Sequence, residues 1–535
     1  IPLALALYQQ QEYQKAIEVL RFSEKECSPI VDWNILAGMV ARQLPNHEEL
    51  AKNFYRRALE IDPTRPDIYY NLGNLLKEDE PEEAELLYRK SINLDPDSAT
   101  VWHNFGISLN NQNRFVEALQ PFRYSLTLDP YISDVWCNLG LAYFGIESFQ
   151  QAESCFRKSI SLDQKHAPSY MNLGNALINT FKPEEAISFL EQGVELDTSS
   201  TDSLFNLSLA YLLLGNYKKG WEYYEARFQG KDFNKDQIPT SGKQIKRIED
   251  LPSKGDPEVV VWSEQGMGDS IQFCRYLSLL EDMEIPYIFL TRSSLLKLQR
   301  EWTEFGDKIH STDIKDPKND DRPHIALMSM PLLFETEVLT VPSQVPYLQT
   351  SSPTPSNLSI PPTPGGISIG FVWASNPDNK AMYKNKSMPA KFLMPRLIEL
   401  ADLDLITIHS LQFGEDAKQI SNWLDNEHCF EWKDQIKDYA DTAHLIRQLD
   451  LVISVDTAVA HLAGALNRPT WLLLHKNADF RWLLHRSDSP WYPSMRLFRQ
   501  TSYADWQSVS EQVNTALDEM FLLDIQRLAS AKLAK

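Results

Sequence analysis

The sequence predicts a multidomain chain: an all-α array of stacked helix pairs over residues 1–230, followed by two α/β domains on parallel sheets. Three observations predict it. A small residue returns at Ala16, Ala51, Ala84, Ala118, Ala152, Ala186 and Gly220, with an interval of 34 from Ala84 onward. From Glu258 on, short apolar runs rich in β-branched residues alternate with helical stretches, the pattern of a parallel sheet. Between the two α/β stretches, Ser351 to Gly366 (SSPTPSNLSIPPTPGG) carries five prolines and can form neither a helix nor an inner strand.

Composition limits the function classes. At 535 residues the chain exceeds a single core. No apolar run approaches the roughly 20 residues of a bilayer span, so no membrane span is expected. The opening IPLALAL is too short for a signal-peptide core and has no basic stretch before it, and a first residue other than Met reads as a truncated start. A formal charge of −21 argues against a nucleic-acid or anionic-membrane surface, which needs clustered Lys and Arg. The five cysteines are scattered, without a CxxC pair, which points to no disulfide framework, no zinc site and a reducing cytoplasm.

Each repeat carries more than its small residue. Tyr69-x-x-Leu72-Gly73, Trp102-x-x-Phe105-Gly106, Trp136-x-x-Leu139-Gly140 and Tyr170-x-x-Leu173-Gly174 recur, and Asp62-Pro63, Asp95-Pro96 and Asp129-Pro130 close the units. These residues resemble the tetratricopeptide repeat (TPR), whose small residues sit at helix crossings and whose proline ends the second helix. Ser91, Ser125, Ser159 and Gly193 stand where that family usually has Ala, and Asp163 and Asp197 lack the following Pro. Stacked pairs form a superhelix with a concave face. Asn71, Asn104, Asn138, Asn172 and Asn206 recur on the first helices and are expected to line it as a peptide groove, since an amide pairs with peptide backbone without reading side chains. Packing between helices is the alternative use of these amides.

In the second half, residues 231–257 read as a linker and 258–350 as the first α/β domain. Residues 351–366 follow as a second linker, and 367–535 form the second domain with a C-terminal helix. The first domain opens with the strand EVVVW, then Gln265-Gly266-Met267-Gly268-Asp269 and a helix from Ser270 to about Leu280. In the second, Leu451 to Val455 is a strand, Asp456-Thr457 starts a helix at Ala458, Asn467-Arg468-Pro469 stops it, and Thr470 to Leu474 is the next strand. A turn leaving a strand of such a unit is either a phosphate site, through the N–H groups opening its helix, or an ordinary crossover. Asn376 to Met388 reads as a polar loop holding Lys384 and Lys386. The proline-rich stretch reads as a flexible hinge, with a cleft between the carboxyl edges of the two sheets.

Trp262 to Phe273 (WSEQGMGDSIQF), Asp441-Thr442-Ala443, Leu449 to Ala465 and Ser489-Pro490-Trp491-Tyr492-Pro493 resemble TPR-linked glycosyltransferases related to the ADP-heptose:lipopolysaccharide heptosyltransferases. The resemblance implies two Rossmann-like domains in a GT-B arrangement, with the donor nucleotide-sugar held by the second domain, the acceptor by the first, and no metal or other cofactor. It implies that Asp269 is the general base and that Gln265, Gly266 and Gly268 form the acceptor-side loop. On the donor side it implies Lys384 and Lys386, with Lys386 standing where relatives often carry Arg, and the turn at Asp456-Thr457 with Ala458 behind it; His461 either faces that site or packs in the core, and Gln412 and Arg481 are further donor-side candidates. The expected activity is metal-independent, inverting transfer of a sugar to a polypeptide or glycan recruited by the repeats. A catalytically inactive TPR scaffold is the alternative.

Overall fold

The computed structural model describes residues 1–230, 233–264, 266–312, 320–363 and 366–533, with residues 381 and 523–533 described by backbone alone. The chain divides into two units, Ile1–Ser203 and Leu204–Lys535.

The first half is helical throughout. After α1 (Pro2–Gln9) and α2 (Tyr13–Cys27) come α3 (Val31–Arg42) and α4 (Glu48–Ile61), then α5 (Pro66–Leu76) and α6 (Pro81–Leu94). The pairs continue with α7 (Ala99–Asn111) and α8 (Phe115–Leu128), α9 (Ser133–Gly145) and α10 (Phe149–Leu162), α11 (Ala167–Asn179) and α12 (Pro183–Leu196), and α13 (Thr201–Leu213) and α14 (Tyr217–Tyr224). The invariant spacing has a steric cause. Ala84, Ala118, Ala152 and Ala186 are fully buried at the crossings, and a Cβ on Gly106 or Gly140 would fall 2.5 Å from the ring of Phe122 or Phe156. Where serine replaces alanine it gains a partner. The hydroxyls of Ser91, Ser125 and Ser159 donate to the carbonyls of Pro66, Ala99 and Ser133, each at 2.8 Å. The aspartate after each second helix supplies the more constant stop, because its carboxylate accepts the N–H two residues on at Asp129, Asp163 and Asp197 alike. Repeats that lack the proline therefore still end in place.

The second unit holds two parallel sheets. Strands β1 (Val259–Trp262), β2 (Tyr287–Thr291), β3 (Ile309–Ser311) and β4 (His324–Ala326) form the first, in the order β3-β2-β1-β4. Strands β5 (Ile367–Val372), β6 (Ile406–Ser410), β7 (Cys429–Glu431), β8 (Leu451–Val455), β9 (Thr470–Leu474) and β10 (Met495–Arg499) form the second, in the order β10-β9-β8-β5-β6-β7. Helices α15 (Met267–Phe273), α16 (Leu277–Asp282), α17 (Ser293–Glu301) and α18 (Met330–Leu333) accompany the first sheet. Helices α19 (Lys380–Lys386), α20 (Met394–Ala401), α21 (Tyr439–Ile446), α22 (Ala458–Ala465) and α23 (Trp506–Leu533) accompany the second. Every residue of β1, β2, β8 and β9 is buried, as the unbroken apolar runs require of strands covered on both faces.

Several local expectations change. The helix expected from Ser270 to Leu280 is broken: α15 passes through a 3-10 turn at Cys274–Tyr276 into α16. The polar loop at Asn376 to Met388 contains α19, started by Asn379, whose side chain accepts from the Met382 N–H. Glu415 to Leu424 reads as a helix in the sequence, and residues 415–423 are a 3-10 helix. The proline-rich stretch is not a free hinge. Arg447 donates to the Thr350 and Ser352 carbonyls and to Thr354, and Gln448 to the Leu358 carbonyl. The two sheets also share one apolar core, in which Val261 and Phe289 of the first join Val452 and Leu472 of the second and Trp221 of α14.

Candidate functional site

In the second sheet β5 pairs with β6 on one side and β8 on the other, so the chain order reverses between β5 and β8. Loops leaving the carboxyl ends of two such strands diverge and leave a crevice, the usual ligand position in doubly wound sheets. The segment after β5 brings Lys386 there and the turn after β8 brings Asp456. Their charged atoms lie 2.6 Å apart, with 13% and 5% of the side chains exposed. Burial opposes both charges, yet the pair wins: Lys386 is raised by Asp456, and Asp456 is held well below the usual carboxylate range, chiefly by Lys386.

Thr457 is the N-cap of α22 and its side chain makes no capping bond to the helix; its hydroxyl meets Ser454 Oγ at 3.2 Å. Ala458 opens the helix with a methyl group, so the first-turn N–H groups are not covered by a bulky side chain. His461 is buried one turn further on. Its Nδ1 pairs with the Tyr492 hydroxyl at 3.0 Å, its ring stacks on Trp482 at 5.3 Å, and Nε2 lies 3.9 Å from Asp456 Oδ1. Burial pushes the ring down to about 3, so it is neutral at pH 7 and supports Asp456 as a packed, uncharged side chain.

The first sheet contributes Asp269. Gly266 caps α15 at φ +97°, and a Cβ there would lie 2.3 Å from Asp269 Oδ2, so both the backbone and the carboxylate require glycine. A Cβ on Gly268 would lie 2.8 Å from His461 Cδ2, which shows how closely α15 approaches α22. The carboxylate is not spent on capping its own helix. Asp269 Oδ1 instead accepts from Arg481 Nη2 at 2.5 Å, with 29% of the Asp269 side chain exposed against 8% for Arg481. Burial pushes Asp269 up to about 6 against the pull of Arg481, so it is ionised at pH 7.

The structure thus brings together Asp269, Lys386, Asp456, Thr457, Ala458, His461 and Arg481. Two expected residues stand differently. Gln412 sits at the edge between β5 and β6, but its oxygen accepts the Trp373 and Ala374 N–H groups and its nitrogen donates to the Ala374 and Phe413 carbonyls. That amide fixes the loop after β5. Lys384 is exposed on α19, and Gln265 lies outside the described residues. Sequence reading missed Asp479 and Gln272, which hold the other two edges of Arg481 at 2.7 and 2.8 Å. The Asp479-x-Arg481 spacing just past β9 was the available signal for one of them. It also missed Arg275, which is buried and donates to the Trp491 carbonyl at 2.6 Å, joining the first sheet's helix to the second domain.

In the repeats, three of the five asparagines make bonds between neighbouring repeats. Asn104, Asn138 and Asn172 each donate one repeat back, to the Tyr70 hydroxyl, the His103 ring and the Cys137 sulfur. Asn71 and Asn206 are partly buried.

Tetratricopeptide-repeat family profiles match residues 49–79, 66–98, 87–120, 133–166 and 167–200. The glycosyltransferase family 9 (heptosyltransferase) profile matches residues 438–482, the stretch that holds Asp456, His461 and Arg481. Protein FlbA of Caulobacter vibrioides is 26% identical over 337 residues, covering 57% of this chain and 53% of that protein. The chain therefore spans about half the length of this relative. Among solved structures, pilF of Pseudomonas aeruginosa is 27% identical, covering 37% of this chain and 90% of its own, with a TM-score of 0.34. The C-terminal part of a TPR protein from Cytophaga hutchinsonii is 18% identical, covering 44% of this chain and 96% of its own, with a TM-score of 0.36. Among the described residues no helix is long and apolar enough to cross a membrane. The chain thus resembles tetratricopeptide-repeat proteins over residues 49–120 and 133–200 and the glycosyltransferase family 9 (heptosyltransferase) family over residues 438–482.

Proposed function

We propose that the protein is a metal-independent, inverting glycosyltransferase of GT-B architecture. It moves a sugar from a nucleotide-sugar donor, with no further cofactor, to a polypeptide or glycan brought in by the repeats. The observation that carries this reading is the meeting of Asp269 from the first sheet with Lys386, Arg481 and the opening of α22 from the second. Asp269 takes the proton of the acceptor hydroxyl. The acceptor oxygen bonds to the anomeric carbon while the bond from that carbon to the diphosphate oxygen breaks on the opposite face, and the nucleoside diphosphate leaves. Lys386, Arg481 and the N–H groups of α22 neutralise the charge that builds on the leaving group. The side-chain oxygens of Asn104, Asn138 and Asn172 offer acceptors for peptide N–H groups along the repeats. The buried thiols of Cys137, Cys155, Cys274 and Cys429 fit a cytoplasmic setting.

The pairing of Lys386 and Arg481 with carboxylates is the one feature that favours the second reading, an inactive scaffold. A panel of radiolabelled nucleotide-sugars separates the two. Turnover of one donor is expected, with kcat/KM flat above neutrality and falling about tenfold per pH unit below about 6, as Asp269 of the free protein takes up its proton. Folded protein that turns over no donor at any pH leaves the scaffold reading.

A further inference from the structure

At the crevice two cations, Lys386 and Arg481, face three carboxylates, Asp269, Asp456 and Asp479. A donor diphosphate adds more negative charge to a site whose balance is already negative. Like charges brought together in a partly buried site repel strongly, so binding requires a cation to change partners. Lys386 is poorly suited to this, because its departure would leave Asp456, 5% exposed, without a countercharge. Arg481 is better suited. Two of its three bonded edges face α15: Nη2 on Asp269 and Nε on Gln272. The third, Nη1, is anchored by Asp479 of its own turn. Its Asp269 partner is the wetter of the two and can return to water when released.

Resting on the glycosyltransferase reading, we infer that Arg481 is a positioning residue that exchanges partners: it holds Asp269 in the resting protein and passes to the donor diphosphate when that binds. Asp479 keeps the guanidinium in place during the exchange. One charge-assisted hydrogen bond to a carboxylate is replaced by one to a phosphate oxygen, so the step is close to balanced in energy. Its consequence is order: Asp269 becomes available to an acceptor hydroxyl only once the donor is seated, and the donor binds first.

The exchange makes Asp269 a competitor of the diphosphate, and that gives an unusual test. Binding of UDP, ADP, GDP and CDP is measured by calorimetry on the full chain and on Asp269→Asn, Arg481→Gln and Arg481→Lys. For the nucleotide that binds, Asp269→Asn should bind about tenfold tighter, the release of one charge-assisted bond. Arg481→Gln should bind at least about tenfold weaker, and Arg481→Lys should recover part of the loss. If Arg481→Gln does not fold, the Asp269→Asn and Arg481→Lys arms decide. A purely structural Arg481 predicts no tightening in Asp269→Asn, and unchanged or weaker binding there overturns the exchange while leaving the proposed function standing. If the unsubstituted protein is folded and binds none of the four nucleotides, the proposed function itself falls, and the exchange with it.

Discussion

Asp269→Asn is expected to lower turnover of the nucleotide-sugar by about 10²- to 10⁴-fold, the usual contribution of a general base. The substitution keeps the volume of the side chain and leaves an oxygen that can still accept from Arg481, so the fold at α15 should hold. A circular-dichroism spectrum and melting curve matching the unsubstituted protein, alongside the lost rate, would separate a chemical defect from a structural one. The same variant should lose the acid limb of the pH profile, since the group pushed up to about 6 is gone. Retained turnover would move the base elsewhere in the crevice. His461, neutral, buried and stacked, is badly placed to take over.

Lys386→Met carries the largest expected effect on stability. Asp456 is 5% exposed, and removing its partner leaves a buried carboxylate uncompensated, which costs about 3–5 kcal/mol. Denaturant titration should show this as a fall in midpoint, and Lys386→Arg should recover most of it. The sign of the pH dependence follows from the pair. In the natural protein Asp456 is held below the ordinary carboxylate range, so its contribution to stability is present above that range and is lost only as pH falls through the lowered value. In Lys386→Met burial is opposed only by the weaker pull of Arg481 and raises Asp456, so the folded state holds its proton longer than the unfolded chain. Stability of the variant should then drop as pH rises above about 4, and its deficit should be smaller in acid than at pH 8.

Much of this architecture was legible in the sequence because it repeats or alternates. The 34-residue period follows from contacts such as Gly106 against Phe122, where no larger side chain fits. The strands β8 and β9 were legible as short, mostly apolar runs. The short edges β3 and β7 were not, since three residues give no period to read. Helix α19 was hidden by its seven-residue length and three lysines, and declared itself only through the Asn379 cap. The site was legible in its two turns and illegible in its pairings. Glycines 266 and 268 marked where backbone and neighbour come close, but no local signal says that Arg481 reaches Asp269 across 212 positions. Gln412 misled for a related reason: its position at a sheet edge suits a ligand, while its amide is consumed by the backbone of the loop after β5.

The central claim is that the crevice between β5 and β8 holds a nucleoside diphosphate opposite Asp269. A crystal structure of the full chain with the nucleoside diphosphate that calorimetry selects tests it most directly. The expected result is a diphosphate at the first turn of α22, within hydrogen-bond reach of Lys386 and Arg481. A nucleotide bound elsewhere, with the α22 turn untouched and Arg481 still closed on Asp269, would contradict it.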